Sequence, residues 1–169
     1  MLRFLFGGLT DRWKPGERLF ERVVAEARQP HWYLDGEVPD SLEGRFAMLA
    51  TLCALATVRI EAQHNSVRES AALTERFVEA MDAEHRQMGM NDPALGRRVR
   101  KLVGALARRT QEWRQAVSGE VEWDAVTLSS VYRNEQPSAQ ALAHSAKSLR
   151  AIWLRFESAS DSDLAEGQF

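Results

Sequence analysis

From Leu42 to Ile60, apolar side chains recur at Leu42, Phe46, Leu49, Cys53, Ala56 and Ile60, in steps of four and three, and Met48, Leu52 and Leu55 widen the stripe. Such steps stack side chains on one face of a 3.6-residue turn, so the run is an α-helix. Because it is apolar on most sides, it belongs in the middle of a bundle. A chain built round such a helix must supply several amphipathic partners. Asp40 or Ser41 is placed to cap it. Its uncharged stretch, Phe46 to Val58, falls well short of the roughly 18 residues that a membrane-spanning helix needs.

The partners are legible at the same spacing. One helix is expected from about Pro15 to Arg28, with Leu19, Val23 and Ala27 inward and Pro30 ending it. Residues 29–39, QPHWYLDGEVP, hold two prolines and a DG turn, which excludes long regular structure. A third helix starts near Ser66, with Leu73, Phe77, Met81 and Met88 inward, and stops at Gly89. Pro93 opens a fourth, inward through Leu95, Val99, Leu102, Leu106 and Trp113 to about Val117. Two more are expected, near Trp123 to Arg133 and Ser138 to Phe156. The fold class is therefore all-α, a single-domain bundle of about six helices.

A chain of 169 residues suits one core rather than two. The expected division is an apolar N-terminal segment over 1–12, a helical domain over 13–157 and a disordered acidic tail over 158–169. Leu2, Phe4, Leu5 and Phe6 could touch a membrane surface or partner, or pack on the domain; the segment is too short for a signal or transit sequence. Cys53 is the only cysteine, which removes disulfides and cysteine zinc sites and fits a reducing, cytoplasmic setting.

Reactive constellations are missing from the sequence. There is no G-x-S-x-G elbow, no phosphate or dinucleotide glycine loop and no HExxH. Glu61-x-x-His64 and Asp82-x-x-His85 have the spacing of carboxylate-bridged di-iron helices. At about 1.5 Å per helical residue, however, His64 and His85 lie about 30 Å apart and cannot share a metal. His31 and His144 stand without a partner at ligand spacing, and Cys53 falls on the apolar stripe as a core thiol. Neither a metal nor a cofactor is expected, and no enzyme.

Two features point to binding. The fourth helix carries Arg97, Arg98, Arg100 and Lys101, extended by Arg108, Arg109 and Arg114, in a chain whose net charge is only -2. With the preceding turn, this stretch, 94–114, admits a helix-turn-helix-like nucleic-acid reading, although it offers arginines rather than base-reading amides until Gln111. A merely solvated charged face is the plainer alternative. Trp32 and Tyr33, in a proline-bounded loop, are residue types in which interfaces concentrate energy; equally, Trp32 could fold back to plug the bundle.

Three stretches together, RQPHWYLDGEVPDSLEGRFAML (28–49), MDAEHRQMG (81–89) and NDPALGRRVRKL (91–102), resemble the ubiquinol-cytochrome c chaperone family. The shared positions include Pro30, Trp32 or Tyr33, Pro39, Asp40, Gly44, Arg45, Phe46, Met81, Asp82, Arg86, Met88, Gly89, Asp92, Gly96 and Arg97. Leu52 replaces a histidine common in the family, and Leu106-Ala107-Arg108-Arg109 replaces a Phe-Tyr-Gly-Arg, so the chain is a divergent example. The resemblance implies a non-catalytic assembly chaperone that holds newly made cytochrome b, or another membrane-protein client, for the cytochrome bc1 complex. It further implies a small helical partner subunit, contact with the ribosome or membrane surface, no specific DNA, and a place at the cytoplasmic face of the inner membrane. The expected contact set is Trp32, Tyr33, Arg45, Arg86, Met88, Met90, Asp92, Arg97, Arg98, Arg100 and Lys101. Methionines and aromatics would supply adaptable apolar surface, and the charges its orientation.

Overall fold

The structure is a computed structural model that describes residues 14–63, 66–87, 95–133 and 135–169, with backbone only for 85–87, 95, 96 and 98. The described elements, in chain order, are α1 (Glu17–Ala27), α2 (His31–Leu34), α3 (Leu42–Glu61), α4 (Val67–Gln87), α5 (Leu95–Ser118), α6 (Trp123–Thr127), a π-helical turn (Leu128–Tyr132), α7 (Ala139–Ser158) and α8 (Asp161–Ala165). No strand occurs among the described residues. The protein is an all-α bundle, and its long helices match the periodicity to within a few residues at each end.

α3 is the axle. Every residue from Ala47 to Val58 is buried, and α1, α4, α5, α7 and the π-turn pack round it. Ser41 starts it, its hydroxyl accepting from the Gly44 amide at 3.2 Å, a cap worth about 1 kcal/mol. Gly44 has a steric role as well, since a Cβ there would lie 1.9 Å from the Pro39 carbonyl oxygen. Three polar side chains inside the core form a chain: Thr51 and Ser130 share a hydrogen bond of 2.7 Å, and the Trp113 indole donates to Ser130 at 3.2 Å. Cys53 sits wholly inside, where burial pushes its thiol up and keeps it protonated and inert.

Residues 29–39 hold no long regular element, as expected; one helical turn, α2, forms there round a buried Trp32. Two expectations are corrected. The tail is not disordered over 158–169: Ser160 caps α8, Leu164 is 2% exposed, and the Phe169 ring stacks edge-on against Phe156 at 4.6 Å. Two apolar anchors five residues apart suffice, with Arg59 bonding the Phe156 and Ala159 carbonyls and Asp161 across the bend. The helix expected to Arg133 is α-helical only to Thr127 and then widens to a π-turn that ends on Arg133 at φ 59°. The apolar segment 1–12 lies outside the described residues.

Candidate binding groove

α1 presents two adjacent stripes. Leu19, Val23 and Ala27 face the core, while Phe20, Val24 and Arg28, one position on in each turn, line an open groove of about 700 Å³. The first turns of α3 form its floor through Leu42, Phe46 and Leu49, at helical spacing of four and three. α4 closes the far side with Ala80, Met81 and Glu84. Phe46 is held from behind by Phe77, with ring centres 5.8 Å apart, and by the Arg109 guanidinium at 5.8 Å. Leu42 is 47% exposed, an apolar side chain that the monomer leaves open to an occupant.

Tyr33 and Arg45 stand at one end, the guanidinium 5.7 Å from the phenol ring centre. The Tyr33 hydroxyl donates to the Ala27 carbonyl at 2.8 Å, and burial pushes its ionisation up. Arg45 is held by Asp40 at 2.7 Å. A smaller recess of about 250 Å³ shares Arg28, Tyr33 and Arg45 and runs on to Pro30 and Leu34, the latter 75% exposed. The groove rim is not purely cationic, because Glu21 and Glu84 line it with Arg28 and Arg45.

Trp32 is corrected from contact residue to core. It is fully buried, and its indole donates to the Glu26 carbonyl at 2.9 Å. A large apolar ring with its one polar atom satisfied internally has nothing left to offer a partner. Met88, Met90 and Asp92 lie outside the described residues, as do the side chains of Arg86 and Arg98. Arg97, Arg100 and Lys101 are exposed on α5, but none lines the groove, so the expected contact set divides between two surfaces. The basic helix is also shorter than its sequence suggests. Arg109 is 5% exposed and donates to the Ser130 and Ala105 carbonyls, and Arg114 bonds Glu61. Arg109 is spent inside the core, which removes it from a nucleic-acid reading of 94–114, while Arg114 stays exposed with its charge balanced by Glu61.

Sequence spacing missed Phe20, Val24 and Leu42 as groove walls, because an apolar position at helical spacing reads as core. It also missed a pairing across 113 residues, in which His31 Nδ1 meets His144 Nε2 at 3.0 Å. Among the described residues no three His, Cys, Asp or Glu side chains gather as metal ligands. No described helix is long and apolar enough to cross a membrane.

The protein is thus an all-α bundle with an open, largely apolar groove between α1, α3 and α4. Residues 34–169 match the ubiquinol-cytochrome c chaperone family, and the chain belongs to that family. The fold is similar to the crystal structure of the Cbp3 homolog from Brucella abortus, with a TM-score of 0.73 and 23% identity over 91% of this chain and 86% of that one. No curated protein matches the chain significantly.

Proposed function

We propose that the protein is a non-catalytic assembly chaperone for the cytochrome bc1 complex, and that the groove between α1, α3 and α4 receives an apolar helical segment of newly made cytochrome b. The observation that carries this reading is the groove itself, whose apolar walls are already folded yet leave Leu42 half open and Val24 and Phe46 only partly covered. A preformed trough between helices suits the helix-in-groove mode, in which side chains at i, i+3, i+4 and i+7 of the guest fill one channel. The mixed rim of Glu21, Glu84, Arg28 and Arg45 orients the guest without demanding one sign of charge. The exposed cations Arg97, Arg100 and Lys101 form a second contact on α5 for an anionic partner: ribosomal RNA, anionic lipid or acidic protein.

Leu42→Glu tests the groove. Position 42 is the first residue of α3, just after the Ser41 cap, where a carboxylate favours the helix. Folding is therefore expected to be unchanged by circular dichroism, while capture of newly made cytochrome b drops about tenfold or more, as a buried charge against apolar contact costs at least 1.4 kcal/mol. Full capture by a folded L42E protein would exclude the groove.

A further inference from the structure

His31 on α2 and His144 on α7 meet through ring nitrogens 3.0 Å apart, with ring centres separated by 5.2 Å. Each nitrogen of an imidazole lies about 1.1 Å from its ring centre. Two rings meeting end-on across 3.0 Å therefore bring their centres to very nearly the separation seen. That alignment decides between two chemistries. A shared metal about 2.0 to 2.1 Å from each nitrogen needs both lone pairs to converge sideways on one point, which end-on rings do not provide. An N–H···N hydrogen bond needs the rings end-on, and needs at least one of them neutral.

The bond is the one side-chain hydrogen bond from α2 itself to α7 among the described residues; the segment just after α2 is tied separately, where Ser138 donates to the Glu37 carboxylate through its amide and hydroxyl, each at 2.9 Å. At the same seam Tyr132 donates to the Gly36 carbonyl at 2.6 Å and its oxygen accepts from the Ser145 hydroxyl at 2.7 Å, and the Gly36 backbone packs so closely that a Cβ would fall 2.6 Å from the Ser145 hydroxyl. The His31 carbonyl also accepts from the Asp35 and Gly36 amides, so the ring that meets His144 belongs to the residue that organises the turn. Tyr33, two residues on, is a wall of the groove.

We propose that the His31–His144 pair is a proton-operated latch that pins α2 to α7, and that protonation of both rings opens it. Two imidazolium rings have four N–H donors and no lone pair, so the bond is lost and two positive charges face each other across 3.0 Å. The charged groups facing His31 are His144 from α7, Glu26 from α1 and Asp35 from the end of α2. Glu26 is already engaged by Arg22 and Arg155, which weakens its pull on the second proton. Burial first, then His144, hold His31 below the usual histidine range, against the opposing carboxylates. The unfolded chain therefore binds more protons at this residue than the folded one. The latch is closed at neutral pH, and its contribution fades as pH falls from the unfolded value near 6.5. That opening also loosens the Tyr33 wall and so tunes capture is a consequence resting on the groove reading above.

Hydrogen exchange by NMR on the free, full chain tests the latch without any client. The readout is protection of the Leu34, Asp35 and Gly36 amides, corrected for intrinsic exchange, with α3 amides as reference. Between about pH 7.5 and pH 5, wild-type protection at these amides should fall about tenfold while α3 holds. His144→Gln, which can bond His31 but cannot gain charge, should remove the step, and His144→Ala should be weakly protected at both pH values. A flat wild-type profile, an undiminished step in H144Q, or zinc chloride raising protection at neutral pH would each overturn the latch. None of these outcomes bears on the L42E capture test, so the two proposals fail separately.

Discussion

Replacing Trp32 by alanine separates a core role from a surface one. The indole is fully buried, it contacts the His31 ring at 4.3 Å between centres, and its N–H is satisfied by the Glu26 carbonyl. Truncating a buried tryptophan costs about 3 to 5 kcal/mol, and the lost indole hydrogen bond adds about 1 more, although the Gln29 amide still donates to the Glu26 carbonyl at 3.2 Å. Against a total stability of about 5 to 15 kcal/mol, that is a large fraction. At about 2 to 4 °C per kcal/mol for a chain of this size, Tm should fall by roughly 10 to 20 °C. Thermal and urea melts followed by circular dichroism measure this directly, and the urea slope checks that the same surface unfolds. Client capture by the fraction that remains folded at low temperature should be close to wild type. A Tm within a few degrees of wild type, or selective loss of capture by a fully stable W32A protein, would refute the burial argument and return the side chain to the surface.

Gly44→Ala pits two effects of opposite sign. Helix propensity alone predicts stabilisation of about 0.5 to 1 kcal/mol, whereas a Cβ 1.9 Å from the Pro39 oxygen forces the entry to α3 apart and costs about 1 to 3 kcal/mol, so Tm should fall; a rise would show that the α3 entry relaxes freely. The triple variant Arg97→Glu, Arg100→Glu, Lys101→Glu should keep its helix content, because Arg97 near the start of α5 opposes the helix dipole and a glutamate there favours it. Its association with ribosomes or anionic vesicles should be lost, and the wild-type association should weaken steeply with salt; undiminished association would place that contact elsewhere.

Helix existence was legible because it rests on period alone. The stripe Leu42, Phe46, Leu49, Cys53, Ala56, Ile60 could only be a central helix, and α3 is one. The failures share a cause: they are decided by contacts distant in sequence. Tail residues 158–169 read as acidic and small, yet Leu164 and Phe169 find a seat formed by α1 and α7. Arg109 and Arg114 read as a continuous basic face until the π-turn and the end of α3 supply their partners. Of the residues expected as contacts, Tyr33 and Arg45 line the groove and Trp32 does not, since an aromatic in a proline-bounded loop has the same sequence whether it points in or out. Phe20 and Val24 escaped because α1 carries a second apolar stripe beside the first, and one stripe already accounted for its helix.

The most direct measurement places a photo-crosslinking amino acid at position 24 or 42 in cells actively making the bc1 complex, with position 154, an exposed leucine on α7, as control. The groove account predicts adducts to cytochrome b from 24 and 42 that peak while the client is newly made, and none from 154. Adducts confined to 154, with both groove positions silent, would contradict it.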